Sequence, residues 1–208
     1  MAKRNKIFKH IVFEYWKDKG ITKDGKIVAL EEYSHNLSEL HIPIIDYGEP
    51  QCFCCGKPFY WSDETEYLKY LNEGNFTWIW NNIIRADVAH IIPHHITQDD
   101  SSDNLVILCK TCHQKLPDTT SKQMFLKYLY YYGKKSYMFG IECSSIEEHR
   151  SIVDIFCDEN SIQLPKNIDM DEFKMFAEDK YVTVPFIDFK PTTAVSLFCE
   201  FIKHKQNS

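Results

Sequence analysis

The spacing of apolar and polar positions divides the chain into a helical start, an irregular middle and a helical end. From Lys6 to Lys19, the residues Ile7, Ile11, Val12, Tyr15 and Trp16 recur at helical spacing, and Gly20 is the predicted stop. Ile21–Leu30 holds a Lys-Asp-Gly-Lys turn between short apolar stretches, which predicts a hairpin. Pro43, Gly48 and Pro50 punctuate an irregular approach to the first cysteines, and Asp63–Asn75 reads as a short helix closed by Gly74-Asn75. Ile83–Ile92 is apolar and β-prone and is ended by Pro93; His94–Asn104 is a polar loop rich in Asp and Ser. Leu105–Leu108 has the shape of a short buried strand, and Lys110–Lys115 opens a helix. The predicted order across this stretch is strand, loop, strand, helix. Met124, Phe125, Tyr128, Leu129 and Tyr132 then follow at helical spacing, with further helices predicted at Ile146–Asp158, Asp171–Asp179 and Thr192–Lys203.

Composition narrows the class without changing that outline. A chain of 208 residues that is 44% hydrophobic and 26% charged is globular, with room for one good-sized domain or two small ones. The expected division is an N-terminal extension over 1–47, a central domain over 48–120 and a mainly helical region over 121–208. No run of about 18 apolar residues predicts a membrane span. The basic start, Met-Ala-Lys-Arg-Asn-Lys, lacks an apolar h-region, so a cytoplasmic location is expected.

Net charge is −6, but it is unevenly distributed: +5 over 1–30, −10 over 31–108, +5 over 109–135 and −6 over 136–208. The two basic blocks hold Lys3, Arg4, Lys6, Lys9, Lys110, Lys115, Lys122 and Lys127, which are candidate phosphate contacts and equally ordinary solvated residues. Trp78, Trp80 and Tyr128–Tyr132 offer stacking surfaces, although stripes at this spacing usually build core.

The cysteines carry the sharpest signal. Cys52-x-x-Cys55-Gly56 and Cys109-x-x-Cys112 form two knuckles separated by 53 residues, while Cys143, Cys157 and Cys199 lie scattered among apolar neighbours. A C-x-x-C bend presents two thiolates at once, and two bends complete the tetrahedral shell that Zn²⁺ prefers. A structural zinc ion held by Cys52, Cys55, Cys109 and Cys112 is therefore expected. Cys54 admits Cys52/Cys54 or Cys54/Cys55 as other pairs; Cys52 with Cys55 has the common spacing and leaves Cys54 as a spare thiol.

Ala89-His90-Ile91-Ile92-Pro93, then Asn104-Leu105-Val106-Ile107-Leu108-Cys109, then Cys112-His113, resembles the His-Asn-His (HNH) endonucleases, and the leading Cys52-x-x-Cys55-Gly is similar to their zinc-containing branch. The resemblance covers about Cys52–Leu116, roughly a third of the chain. It implies an α+β fold: a zinc-stapled ββα-metal core with helical N-terminal and C-terminal extensions. It also implies phosphodiester hydrolysis in DNA, with RNA left open, in restriction, phage or anti-phage biology. In that scheme His90 activates water, Asn104 braces the loop of the hairpin, and His113 holds a divalent cation, Mg²⁺ or Mn²⁺, at the helix start.

One position departs from the family. Many relatives carry Asp immediately before the first His, where this chain has Ala89, and alanine cannot ligate a cation. Asp87 lies two residues earlier on the same strand face and is the candidate replacement, with a hairpin-bracing carboxylate as the other reading. His94 and His95 are further candidates or plain loop residues, and His113 could instead join the zinc shell. The departure keeps a second function in view: a catalytically impaired, zinc-stabilised subunit that binds nucleic acid or protein. A double-strand cutter with one site per chain is expected to act as a homodimer, and a third reading is a subunit that depends on a protein partner for DNA affinity.

Overall fold

The computed structural model describes residues 7–45, 50–59, 63–139, 146–180 and 191–207. Lys3, Arg4, Lys6, Gly48 and Cys143, named above, lie outside the described residues. Helix α1 (Lys9–Trp16) leads into a hairpin of β1 (Lys19–Ile21) and β2 (Ile27–Ala29), antiparallel with Gly20 opposite Val28. Gly20 is thus a strand residue rather than a helix stop. A Cβ there would lie 2.8 Å from Leu40 Cδ1, so a larger residue would push the Leu40 side chain aside. The hairpin turns at Gly25, whose φ of +71° favours glycine.

Helix α2 (Glu64–Asn72) begins where the Asp63 side chain accepts a hydrogen bond from Glu66 N, and it ends before Gly74 at φ +64°. A single turn, α3 (Phe76–Trp78), runs into a π-helical stretch, Ile79–Ile83, that turns Ile79, Trp80 and Ile83 fully inward. The β-prone run is accordingly shorter than its composition predicts. Strand β3 is Asp87–His90, paired antiparallel with β4 (Leu105–Leu108) so that Asp87 faces Leu108 and His90 faces Leu105. The intervening residues form α4 (His94–Thr97) and a 3₁₀ turn at Ser102–Asn104, and α5 (Lys110–Lys115) follows β4. This is the mixed α+β, ββα arrangement that the order of apolar segments predicts.

Aromatic packing fastens the N-terminal helix to this unit. Phe13 stacks on Trp80 at 4.7 Å, and Phe53 meets the edges of both Trp16 and Trp80 at 6.2 and 6.5 Å. The buried Trp16 indole donates to Leu105 O at 2.8 Å, tying α1 to the first residue of β4. Trp80 and Tyr128–Tyr132 are therefore core, whereas Trp78 is 39% exposed and lies against Tyr70.

Helix α6 (Lys122–Phe139) is buried over most of its circumference between Met124 and Gly133, because β1, α7 (Ile146–Asn160) and α9 (Pro191–Asn207) pack around it. Gly133 lets the His41 ring lie directly on the helix; a methyl group there would overlap the imidazole. Helix α8 (Met170–Lys180) packs on α9. Polar ties cross these layers: Lys203 donates to Asp24 Oδ1 and Asn160 Oδ1, and the buried Lys127 pairs with Glu200 at 2.6 Å. At its N-terminal end, α9 grips the segment leaving α5. Thr192 Oγ1 donates to Lys115 O at 2.5 Å and Thr193 Oγ1 accepts from Asp118 N at 3.2 Å. Both threonines are buried, so the C-terminal region supports one wall of the cleft described below. Among the described residues, no helix is long and apolar enough to cross a membrane.

Candidate metal centre and cleft

The first knuckle is a tight turn fixed from both sides. Cys52 N donates to Lys57 O and Gly56 N to Cys52 O, each at 2.9 Å, and Gly56 adopts φ +67°. Phe53 N donates to Ile107 O at 2.9 Å while the His41 imidazole donates to Phe53 O, so the turn is stitched to β4 and to the His41 segment. The second knuckle begins where β4 ends. Cys109 N donates to Cys52 Sγ at 3.3 Å, and Cys109 Sγ caps α5 by accepting from Cys112 N at 3.4 Å.

The Sγ atoms of Cys52, Cys55, Cys109 and Cys112 all lie within 4.8 Å of one another. Tetrahedral thiolates around Zn²⁺ at about 2.3 Å stand roughly 3.8 Å apart, so this donor set fits that ion. The thiols also crowd one another electrostatically. Hydrogen bonds from Cys112, Cys52 and Cys55 hold Cys109 far below the usual thiol range, whereas the contacts of Cys112 with Cys109 and Cys52 push it far up. Four thiols in contact cannot all ionise alone; a dication removes that conflict. Cys54 points instead to a buried position with its sulfur 3.9 Å from Tyr128 Oη. His113 is not in the four-sulfur cluster.

Four of the other sequence candidates, Asp87, His90, Asn104 and His113, gather around the ββα unit. Asn104 is 3% exposed, and its side-chain oxygen and both amide hydrogens are engaged. Its Oδ1 accepts from Ile92 N at 2.9 Å, and its Nδ2 donates to Ile92 O at 3.1 Å and to Asp99 O at 3.0 Å. The amide substitutes for the strand ladder beyond His90, where Ile91 N is the last backbone donor to cross, reaching Asn104 O at 2.8 Å. That substitution explains why the apolar run stops being a strand two residues before its composition changes.

His90 and His113 line one cleft of about 270 Å³, together with Ala89, His94, His95 and the Leu116–Asp118 wall. His113 is the fourth residue of the six-residue α5, and its Nδ1 lies 3.0 Å from Asp87 Oδ2. Adjacent ligand atoms of an octahedral ion bound at about 2.1 Å are separated by about 3.0 Å, so this nitrogen–oxygen pair fits a divalent cation of the Mg²⁺ or Mn²⁺ type. Ala89 is buried and offers no ligand atom. His90 Nε2 lies 2.8 Å from Asp100 Oδ1, and His94 Nε2 lies 3.6 Å from the same oxygen. Asp100 was not singled out by sequence motif; the only hint was its place in an acid-rich loop.

The lysine candidates separate on burial and pairing. Lys9 donates to Ile84 O, Lys122 pairs with Asp103 at 2.6 Å, and Lys127 is buried with Glu200. Among the described residues no carboxylate pairs with Lys110 or Lys115, and both lie on α5 beside the cleft; Lys110 is exposed and Lys115 half-buried.

Comparison with known proteins agrees with this geometry. Residues 80–119 match the sequence model of the HNH endonuclease family, a span that runs from Trp80 through the hairpin and α5 to Thr119. Comparisons with curated proteins and with solved structures yield no match.

Proposed function

From an HNH endonuclease segment that supports nuclease-type activity in general, we propose that this protein is a metal-dependent endonuclease hydrolysing phosphodiester bonds in DNA. The observation that carries the proposal is the pairing of Asp87 with His113 at 3.0 Å beside the cleft that His90 lines. It supports a two-ligand cation site despite Ala89, with the carboxylate arriving from one strand face and the imidazole from α5. In this reading Asp87 and His113 would hold the cation, which when bound would offset charge growing on the phosphate and on the departing oxygen.

His90 accepts a proton from water as the water oxygen bonds to phosphorus. The bond from phosphorus to the 3′ oxygen breaks, and that oxygen leaves with the bonding pair and gains a proton from solvent. The products are a 5′-phosphate and a 3′-hydroxyl. Asn104 keeps the chain on both sides of the loop in register so that His90 stays at the cleft. Lys110 and Lys115 contact backbone phosphates.

Plasmid incubated with the zinc-loaded protein and Mg²⁺ or Mn²⁺ tests this directly. Cutting is expected, is abolished by EDTA, and falls about 10²- to 10⁴-fold in His90→Ala. Equal cutting by the variant removes His90 from the role of base. A second reading, a non-cutting binding subunit, is favoured by one observation, the alanine at position 89, and is adopted if no metal supports cutting while DNA is still bound.

A further inference from the structure

We propose that Asp100 is the positioning residue for His90: its carboxylate selects which imidazole nitrogen carries the proton and holds the ring at the cleft. The proposal rests on the reading of His90 as the base, and it adds a residue outside the His-Asn-His motif.

The geometry is specific to one pair. Asp100 Oδ1 sits 2.8 Å from His90 Nε2, at side-chain exposures of 32% and 17%. A carboxylate accepts and does not donate, so Nε2 of His90 carries the hydrogen and Nδ1 keeps the lone pair. Nδ1 is then the nitrogen that takes the proton from water, and the imidazolium that results lies against a carboxylate. His94 Nε2, at 3.6 Å from the same oxygen, is too distant for a good hydrogen bond; its ring meets the His90 ring edge-on, with centroids 5.4 Å apart. His94 therefore packs against the pair without displacing it.

Asp100 is placed by its neighbours on both sides. Gln98 adopts the left-handed conformation, φ +53°, and redirects the chain at the end of α4. Asp99 O accepts from Asn104 Nδ2 at 3.0 Å, and Asp99 Oδ1 accepts from Ser101 N at 2.8 Å. Asn104 also grips Ile92, two residues beyond His90, through both backbone polar groups of that residue. A single buried amide thus fixes the distance between the strand bearing His90 and the loop bearing Asp100. The Asp100 contact is accounted for by the 2.8 Å hydrogen bond to His90 alone.

The test reads the tautomer and the rate separately in the 208-residue, zinc-loaded protein. Long-range ¹H–¹⁵N correlation spectra, with His90 assigned from the signal missing in His90→Gln, are expected to show the Nε2–H form in wild type. Asp100→Ala is expected to give a mixture of both tautomers and a kcat lowered about 10²-fold, with KM for plasmid changed less than threefold. Asp100→Asn retains an acceptor oxygen and is expected to fall between the two; zinc content and thermal midpoint report whether each variant is folded. An Nε2–H signal and a kcat that both survive Asp100→Ala overturn the proposal. If the wild type does not cut with any metal, the reading of His90 as base fails. The spectra still decide the positioning claim: a His90 tautomer that ignores Asp100 refutes it, and one that follows Asp100 sustains it.

Discussion

Asn104→Asp isolates what the buried amide contributes, because it changes hydrogen-bond chemistry at constant shape. In the native protein one Asn104 oxygen accepts from Ile92 N, and its nitrogen donates to Ile92 O and Asp99 O at 3.1 and 3.0 Å. The acid keeps the first bond. Its second oxygen then faces two carbonyl oxygens with no hydrogen to offer. Two hydrogen bonds of about 0.5–1.5 kcal/mol each are lost, and a carboxylate is held at a site only 3% exposed. A net destabilisation of about 3 kcal/mol at pH 7 follows, which corresponds to a thermal midpoint lower by roughly 6–12 °C in a chain of this size.

The sign of the pH dependence is a second signature. Burial and facing carbonyls raise the new carboxyl's folded-state pKa above its unfolded value of about 3.9. The protonated acid can donate to one of those carbonyls, so the deficit relative to wild type shrinks as pH falls through the raised pKa. The assay is denaturant unfolding at saturating zinc, which keeps metal linkage constant between variants. A difference under about 1 kcal/mol at pH 7, or one that grows on acidification, would refute the reasoning about the amide donors.

The remaining predictions concern the zinc site, a buried imidazole and the DNA interface. Elemental analysis should find one zinc per chain, retained in Cys54→Ser and lost or depleted in Cys55→Ser or Cys112→Ser; loss in Cys54→Ser would reassign the ligands. Desolvation lowers the His41 pKa to about 4 against a hydrogen bond to Phe53 O that opposes it. The unfolded chain then binds the extra proton first. Stability should fall by at most about 3 kcal/mol as pH drops from about 6.5 to 4, relative to a His41→Gln variant lacking that slope. Parallel pH profiles for the two proteins would exclude the effect. In DNA-binding titrations against salt, replacing Lys110 and Lys115 together should reduce the log–log slope by nearly 2, about 0.9 for each phosphate contact removed, while Lys122→Ala, already paired with Asp103, should leave the slope unchanged. A changed slope for Lys122→Ala alone would place the interface elsewhere.

Local pattern by itself determined the elements of the site. Leu105–Leu108 is four aliphatic residues and is a strand with every member buried; Pro93 ends the apolar run before it; each C-x-x-C turn presents its own two thiols together. Such features depend on residues close in sequence, whose geometry is set by backbone stereochemistry and by the bite of the turn. Which side chains meet across the hairpin was decided only in three dimensions. Asp87 reaches His113 because α5 folds back on β3, a relation between residues 26 positions apart. Of the three acids in the loop, Asp100 alone meets His90, because the left-handed Gln98 and the Asn104 amide turn that residue inward and leave Asp99 and Asp103 to cap and pair elsewhere. Charge counting had treated the lysines of the two basic blocks alike. Packing buries Lys127 against Glu200 and pairs the more exposed Lys122 with Asp103, so a phosphate would have to compete with a carboxylate already in place at each. Sequence names the groups that can do the chemistry; only the packed chain selects their partners, because hydrogen bonds and charges act over a few ångströms that sequence separation does not encode.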